Sequence, residues 1–202
     1  MRKFTIPFLA LSLLTLAACK TSSLTELEKT PVAETTVEFD GTMKGIDMDQ
    51  SVLSFVGGSD VIDHEGKFTD YTAGVTLDTT EPSNLEKAVI AVAINLASAV
   101  TDAEGLTQHL QREDFFFVEQ HPRAIFASTG IVKTDATHYA ITGDLTVKGV
   151  TKSVTISAEI TNDYLTAHYD FPRQEFGIGN DSYGNKLLDT TVAVDVKLVF
   201  TK

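Results

Sequence analysis

Beyond about residue 50, apolar and polar positions alternate with a period of two, the pattern of strands that bury one face. Ser51–Val56 is the first such segment. Gly66–Asp78 is long, with Phe68, Tyr71, Val75 and Leu77 apolar; its phase changes once, which predicts a bulge. In Ala88–Leu96, Ile90, Val92 and Ile94 share a face. Ala124–Val132 and His138–Val147 follow, the second with Tyr139, Ile141, Gly143, Leu145 and Val147 together. Lys152–Ile160 aligns Val154, Ile156, Ala158 and Ile160, and Tyr164–Phe171 aligns Leu165, Ala167, Tyr169 and Phe171. Thr190–Thr201 aligns Val192, Val194, Val196, Leu198 and Phe200. Enrichment in Val, Ile, Thr, Phe and Tyr with turn residues between the runs makes this an all-β signature.

One stretch, residues 102–118, does not alternate. Leu106 and Leu110 stand at i and i+4, which predicts a short helix, and Phe115, Phe116 and Phe117 then need burial at one end of the sheet. The resulting fold class is all-β: an eight-stranded antiparallel β-barrel with a short helical insertion. A barrel of that size has room for packed side chains or for one small ligand. Periodicity by itself favours the packed core.

The first 18 residues are of another kind. Met1-Arg2-Lys3 is a short basic start, and Phe4–Ala18 is uncharged and mostly apolar but shorter than the roughly 20 residues of a membrane span. This is the pattern of a secretory signal peptide. It ends Leu16-Ala17-Ala18-Cys19, which resembles the bacterial lipobox. The implied chemistry is a diacylglycerol thioether on Cys19, cleavage before it and acylation of the new amine; an ordinary secretory signal with a cysteine at its cleavage site is the alternative. The expected organisation is a signal peptide over 1–18, an acylated Cys19 with a polar tether over 19–45, and a barrel over 46–202. Several acyl chains on one residue hold a protein on a membrane without a spanning helix. Lys20, rather than Asp, follows Cys19, so in a Gram-negative cell the sorting rule directs the protein to the periplasmic face of the outer membrane.

Composition narrows the function classes. Cys19 is the only cysteine among 202 residues, so neither an internal disulfide nor a cysteine-rich zinc site is available. The formal net charge is −12, and loss of residues 1–18, which carry Arg2 and Lys3 and no acidic residue, makes it −14. Such a surface excludes phosphate-reading contacts to nucleic acid and electrostatic adhesion to anionic lipid. His64, His109, His121, His138 and His168 show no metal-ligand spacing. His64 with Glu65 is read as a turn-stabilising pair, and Asp114 as the cap of a short turn. Arg173 beside an aromatic stretch is a candidate seat for a pyrophosphate or quinone headgroup, with pairing to Asp189 or Glu175 as the structural alternative. No nucleophile–base set, phosphate loop or dinucleotide loop occurs. The expectations are therefore no catalysis, no metal and no cofactor.

Several short motifs occur in order: Asp63-His64-Glu65-Gly66-Lys67-Phe68, Gln108-His109-Leu110, Asp114-Phe115-Phe116, His121-Pro122, Phe126-Ala127-Ser128, the run from Gly143-Asp144-Leu145-Thr146 through Lys148-Gly149 to Lys152, and Arg173-Gln174-Glu175-Phe176-Gly177-Ile178. Together they resemble the YceI-like family of bacterial polyisoprenoid-binding proteins over roughly residues 48–202. The resemblance implies a lipocalin-like barrel whose apolar tunnel holds an isoprenoid lipid, such as a polyprenyl lipid or a quinone tail. On that reading the tunnel lining includes Phe68, Tyr71, Val75, Ile90, Val92, Ile94, Phe115, Phe116, Phe126, Tyr139, Ile141, Leu145, Ile156, Val194 and Val196, with Gly143 and Ala158 leaving room for the tail. Homodimers are common in the family, though no interface is legible here. The chain departs from the family by its lipobox, by Phe117 where an acidic residue is usual, and by the polar run Gly179–Asn185. The partners implied are an isoprenoid lipid in the tunnel and the membrane through acylated Cys19. The alternative functions are a structural or stress-protective surface lipoprotein with a filled core and, behind it, an enzyme acting on lipids.

Overall fold

The computed structural model describes residues 42–179 and 187–202, all within one compact unit, Glu34–Lys202. The expected signal peptide, Cys19, most of the expected tether and residues 180–186 of the polar run lie outside the described residues. Eleven strands form one antiparallel sheet: β1 (Thr42–Lys44), β2 (Ile46–Gly58), β3 (Asp63–Phe68), β4 (Tyr71–Leu77), β5 (Val89–Asn95), β6 (Ala99–Thr101), β7 (Arg123–Lys133), β8 (His138–Val147), β9 (Val150–Ile160), β10 (Tyr164–Phe171) and β11 (Val192–Phe200). Among the described residues a single α-helix, α1 (Glu104–Leu110), follows β6.

Eleven strands are eight passes of the chain, because three passes are each broken once. β1 and β2 are separated only by Gly45, β3 and β4 by Thr69-Asp70, and β5 and β6 by the 3-10 turn Leu96–Ser98. The break at Thr69-Asp70 falls inside the segment whose phase change predicts a bulge. The breaks let one pass change neighbours along its length: β1 pairs with β4, while β2 pairs with β11 and β3. With β4–β5–β7–β8–β9–β10–β11 in unbroken order, the ring closes through Gly45, whose carbonyl accepts from the Thr201 amide at 3.0 Å. Closure leaves few unpaired edges. The sheet also begins at Thr42, four residues inside the expected tether, because Thr42–Lys44 find partners in Val75–Leu77.

Two irregularities tighten the curvature. Val199 pairs with Asp47 and Lys197 with Val52, so β2 bulges over Met48–Ser51. The buried Ser51 hydroxyl closes this bulge, donating to the Asp47 carbonyl at 2.6 Å and accepting from the Val199 amide at 2.9 Å. β7 slips register against β8 between Ser128 and Gly130. At the other end, Lys148 and Gly149 join β8 to β9 with φ of 49° and 75°, the two left-handed residues of a tight hairpin turn. A lysine accepts that backbone because its ammonium is tied down twice, to the Glu113 carbonyl at 2.7 Å and the Gly177 carbonyl at 2.9 Å.

Side chains inside the ring form two clusters. The lower one, near the β7–β8 and β9–β10 turns, contains Val75, Ile90, Ile131, Tyr139, Ile160 and Phe200; the upper contains Leu96, Leu110, Phe115, Val147, Phe176 and Ile178. Gly143 belongs to the wall of this packing: a Cβ there would lie 2.6 Å from the Phe126 ring, so the room it leaves is taken by Phe126. Ala158 is likewise buried in the lower cluster.

Candidate functional site: an apolar cavity with a charged mouth

Between the two clusters lies a cavity of about 260 Å³. Its walls follow from strand alternation. On β11, Val192, Val194, Val196 and Leu198 all face it; on β10, so do Leu165, Ala167, Tyr169 and Phe171. These eight stand in register as cross-strand pairs, Leu165 opposite Leu198, Ala167 opposite Val196, Tyr169 opposite Val194 and Phe171 opposite Val192. A one-residue slip of either strand would turn its four to solvent. The opposing wall is Ile90, Val92 and Ile94 of β5, with Phe126, Ile141, Leu145 and Ile156 from β7, β8 and β9.

The upper end is roofed by the non-alternating segment. α1 contributes Leu106 and Leu110, and the turns after it place Phe115 and Phe116 on the cavity, with Phe68 6.1 Å from Phe116, centroid to centroid. Phe117 is directed elsewhere: its φ is 51°, and its ring meets His121 edge-on at 6.1 Å. Asp114 does not serve as a simple turn cap; its carboxylate is 2.8 Å from His109 Nε2, which links the helix to the Phe-bearing turn.

The cavity is closed below and open above. Ile90, Ile141, Leu165 and Leu198, at its lower end, are buried, whereas Gly57, Gly58, His64, Leu188 and Asp189, at its upper end, are partly or fully exposed. The ionisable groups His64, Arg173 and Asp189 gather at that mouth. His64 pairs across the sheet with Gly57 and bonds through Nδ1 to Asp102 at 2.9 Å, not to Glu65. Arg173 is 3% exposed. Its Nε donates to the Asp189 carbonyl at 2.5 Å, one terminal nitrogen to the Ile178 and Gly179 carbonyls at 2.8 and 3.2 Å, and the other to the Leu188 carbonyl at 3.0 Å. Burial pushes this guanidinium below its ordinary pKa, and Asp189 opposes that. The fork therefore staples the residues after the 3-10 turn Arg173–Phe176 to the segment leading into β11. It holds the rim in place from behind.

Of the expected lining, Phe68, Ile90, Val92, Ile94, Phe115, Phe116, Phe126, Ile141, Leu145, Ile156, Val194 and Val196 come together on the cavity. Tyr71, Val75 and Tyr139 do not. They face inward but pack in or against the lower cluster, because their strands carry them below the cavity floor. Burial raises the Tyr71 hydroxyl pKa there. Alternation in Ser51–Val56 marks Leu53 and Phe55 as further lining, but no periodic signal marks Leu188, Asp189 or Ile178. Among the described residues no cluster of three His, Cys, Asp or Glu side chains is placed to hold a metal, and no helix is long and apolar enough to cross a membrane.

Comparison with known proteins agrees with this architecture. A UPF0312 protein of Photorhabdus laumondii is 37% identical over 98 residues, 48% of this chain and 49% of that protein, so the chain spans about half the relative's length. The crystal structure of Burkholderia cenocepacia BcnA superposes with a TM-score of 0.70 at 24% identity, covering 77% of this chain and 99% of that one. A polyisoprenoid-binding domain from Saccharophagus degradans, implicated in plant cell wall breakdown, superposes with a TM-score of 0.58 at 14% identity, covering 80% of this chain and 98% of that one. At these identities the two structures speak for the fold. The family model described as the YceI-like domain matches residues 28–200, which take in the whole sheet, and the chain belongs to that family.

Proposed function

We propose that the protein binds the apolar tail of a long-chain isoprenoid lipid, a polyprenyl lipid or a quinone, and carries it in the bacterial cell envelope without catalysing a reaction. The observation that carries this reading is the cavity's polarity: apolar along its length and charged only at the mouth. An isoprenoid tail has no polar atoms, so it needs just such a bore. Each buried CH₂ is worth roughly 0.8 kcal/mol, or about 4 kcal/mol per five-carbon unit as an upper figure, so a few units offset the cost of association. A volume of about 260 Å³ is near the low end of ligand pockets, which suits a slender apolar ligand. The polyisoprenoid-binding domain of like fold supports the choice of ligand. Acylation at Cys19 would hold the carrier at the membrane.

Native mass spectrometry of protein purified without detergent, before and after delipidation, tests the proposal. The expected result is a co-purifying hydrophobic ligand that delipidation removes and added quinone or polyprenol restores. Finding no such ligand and no uptake overturns it in favour of a filled-core surface module. Turnover that one side-chain deletion abolishes overturns the non-catalytic part.

A further inference from the structure

Among the described residues, several apolar side chains stand exposed beside the mouth of the cavity. Val61, at the tip of the β2–β3 hairpin, is 91% exposed, its neighbour Ile62 57%, and Leu187 74%. Exposed aliphatic residues scattered singly are ordinary. Here the hairpin that carries Val61 and Ile62 and the segment that carries Leu187 are neighbours. Ser59 forms a β-bridge with Leu188, and the Asp189 amide donates to the Gly58 carbonyl at 2.9 Å, so the hairpin and the segment holding Leu187 are joined. Leu188, next to Leu187, and Gly58, which pairs across the hairpin with Asp63, line the cavity. The apolar tip is thus continuous with the apolar bore. Within residues 59–63 the only charges are Asp60 and Asp63, so attraction to anionic groups is absent at the tip.

We propose that Val61, Ile62 and Leu187 form a docking tip that inserts into the interface of a zwitterionic phospholipid bilayer, bringing the cavity mouth against the lipid that supplies the tail. Shallow insertion of a few aliphatic side chains is a recognised mode of reversible membrane contact. It spares the tail a crossing through water. The delivery step rests on the tail-binding reading above; the docking surface does not.

The chain has no tryptophan, so one placed at the tip reports on that site alone. The test compares the full chain carrying Val61→Trp with one carrying Val132→Trp, an exposed position on β7 toward the opposite end. The vesicles are dioleoylphosphatidylcholine with and without brominated acyl chains. Expected are a blue-shifted emission and at least twofold bromine quenching at position 61 and neither at position 132, the effect weakening when phosphatidylglycerol is added. Water-like emission at position 61, or equal quenching at both positions, overturns the docking surface. In parallel, a Val61→Asp/Ile62→Asp protein is expected to take up dispersed retinol, a fluorescent isoprenoid alcohol, as the unaltered chain does, yet accept it from vesicles at least tenfold more slowly. Equal transfer rates overturn the delivery step. Insertion at position 61 in a protein that takes up no retinol from either source supports the tip and overturns the tail-binding reading.

Discussion

Replacing Arg173 with methionine is expected to cost the fold about 4 kcal/mol, and the size of that loss decides what the guanidinium is for. Methionine keeps much of the stem, so the change removes chiefly the charged fork. The fork donates to four backbone carbonyls, and two of those bonds, to Ile178 and Gly179, are buried. An acceptor stranded in the interior costs about 1–3 kcal/mol. Two of them give about 2–6 kcal/mol, while the Leu188 and Asp189 carbonyls, nearer the mouth, can turn to water. A slope near 2 kcal/mol per molar urea is ordinary for a domain of this size, so the unfolding midpoint should fall by about 2 M. Urea titration followed by far-ultraviolet circular dichroism reads this directly. Should the methionine protein fail to fold, Arg173→Lys, which keeps a charge but has a single point of donation, is expected to lose roughly half as much. A loss under about 1 kcal/mol in both would refute the reasoning: it would mean that water replaces the fork without penalty and that Arg173 is available to a ligand headgroup.

Three further outcomes are expected. Gly143→Ala would set a Cβ 2.5 Å from the Ala127 carbonyl oxygen and 2.6 Å from the Phe126 ring, so a destabilisation of about 1–3 kcal/mol should appear as a lower midpoint in thermal melts. Ile156→Trp sets a larger ring against the cavity, so retinol affinity should fall at least tenfold; unchanged affinity would place the ligand elsewhere. His138 is raised in pKa by its bond to Asp135, with Glu159 opposite it, and His168 by Asp195 and then Asp170. The stabilisation from these pairs is complete below the ordinary histidine pKa near 6.5 and is lost as pH rises through the raised folded values. Urea midpoints measured from pH 6 to 8 should therefore decline more steeply in the parent than in a His138→Gln/His168→Gln protein.

The strands were legible because half-buried strands must alternate, and all eight alternating segments are passes of the barrel. The helix was legible from Leu106 and Leu110, and the need to bury three phenylalanines was visible, although not that Phe117 would turn away from the other two. Tyr71, Val75 and Tyr139 show the limit of face assignment. Alternation says that a side chain points inward but not at what height, and height separates cavity from floor. Arg173 shows another limit: among its partners are the carbonyls of residues 178, 179, 188 and 189, and carbonyls leave no mark in a sequence.

The sequence by itself determined which faces are apolar, the number of chain passes and the family, since these depend on residue types at fixed short spacings. The tertiary structure alone decided that the ring closes through Gly45, that the bore has a floor, and that His64, Arg173 and Asp189 meet at one mouth beside the exposed Val61, Ile62 and Leu187. Those features join residues more than a hundred positions apart. Strand register and the breaks at residues 45, 69–70 and 96–98 set their meeting, and no local pattern encodes it.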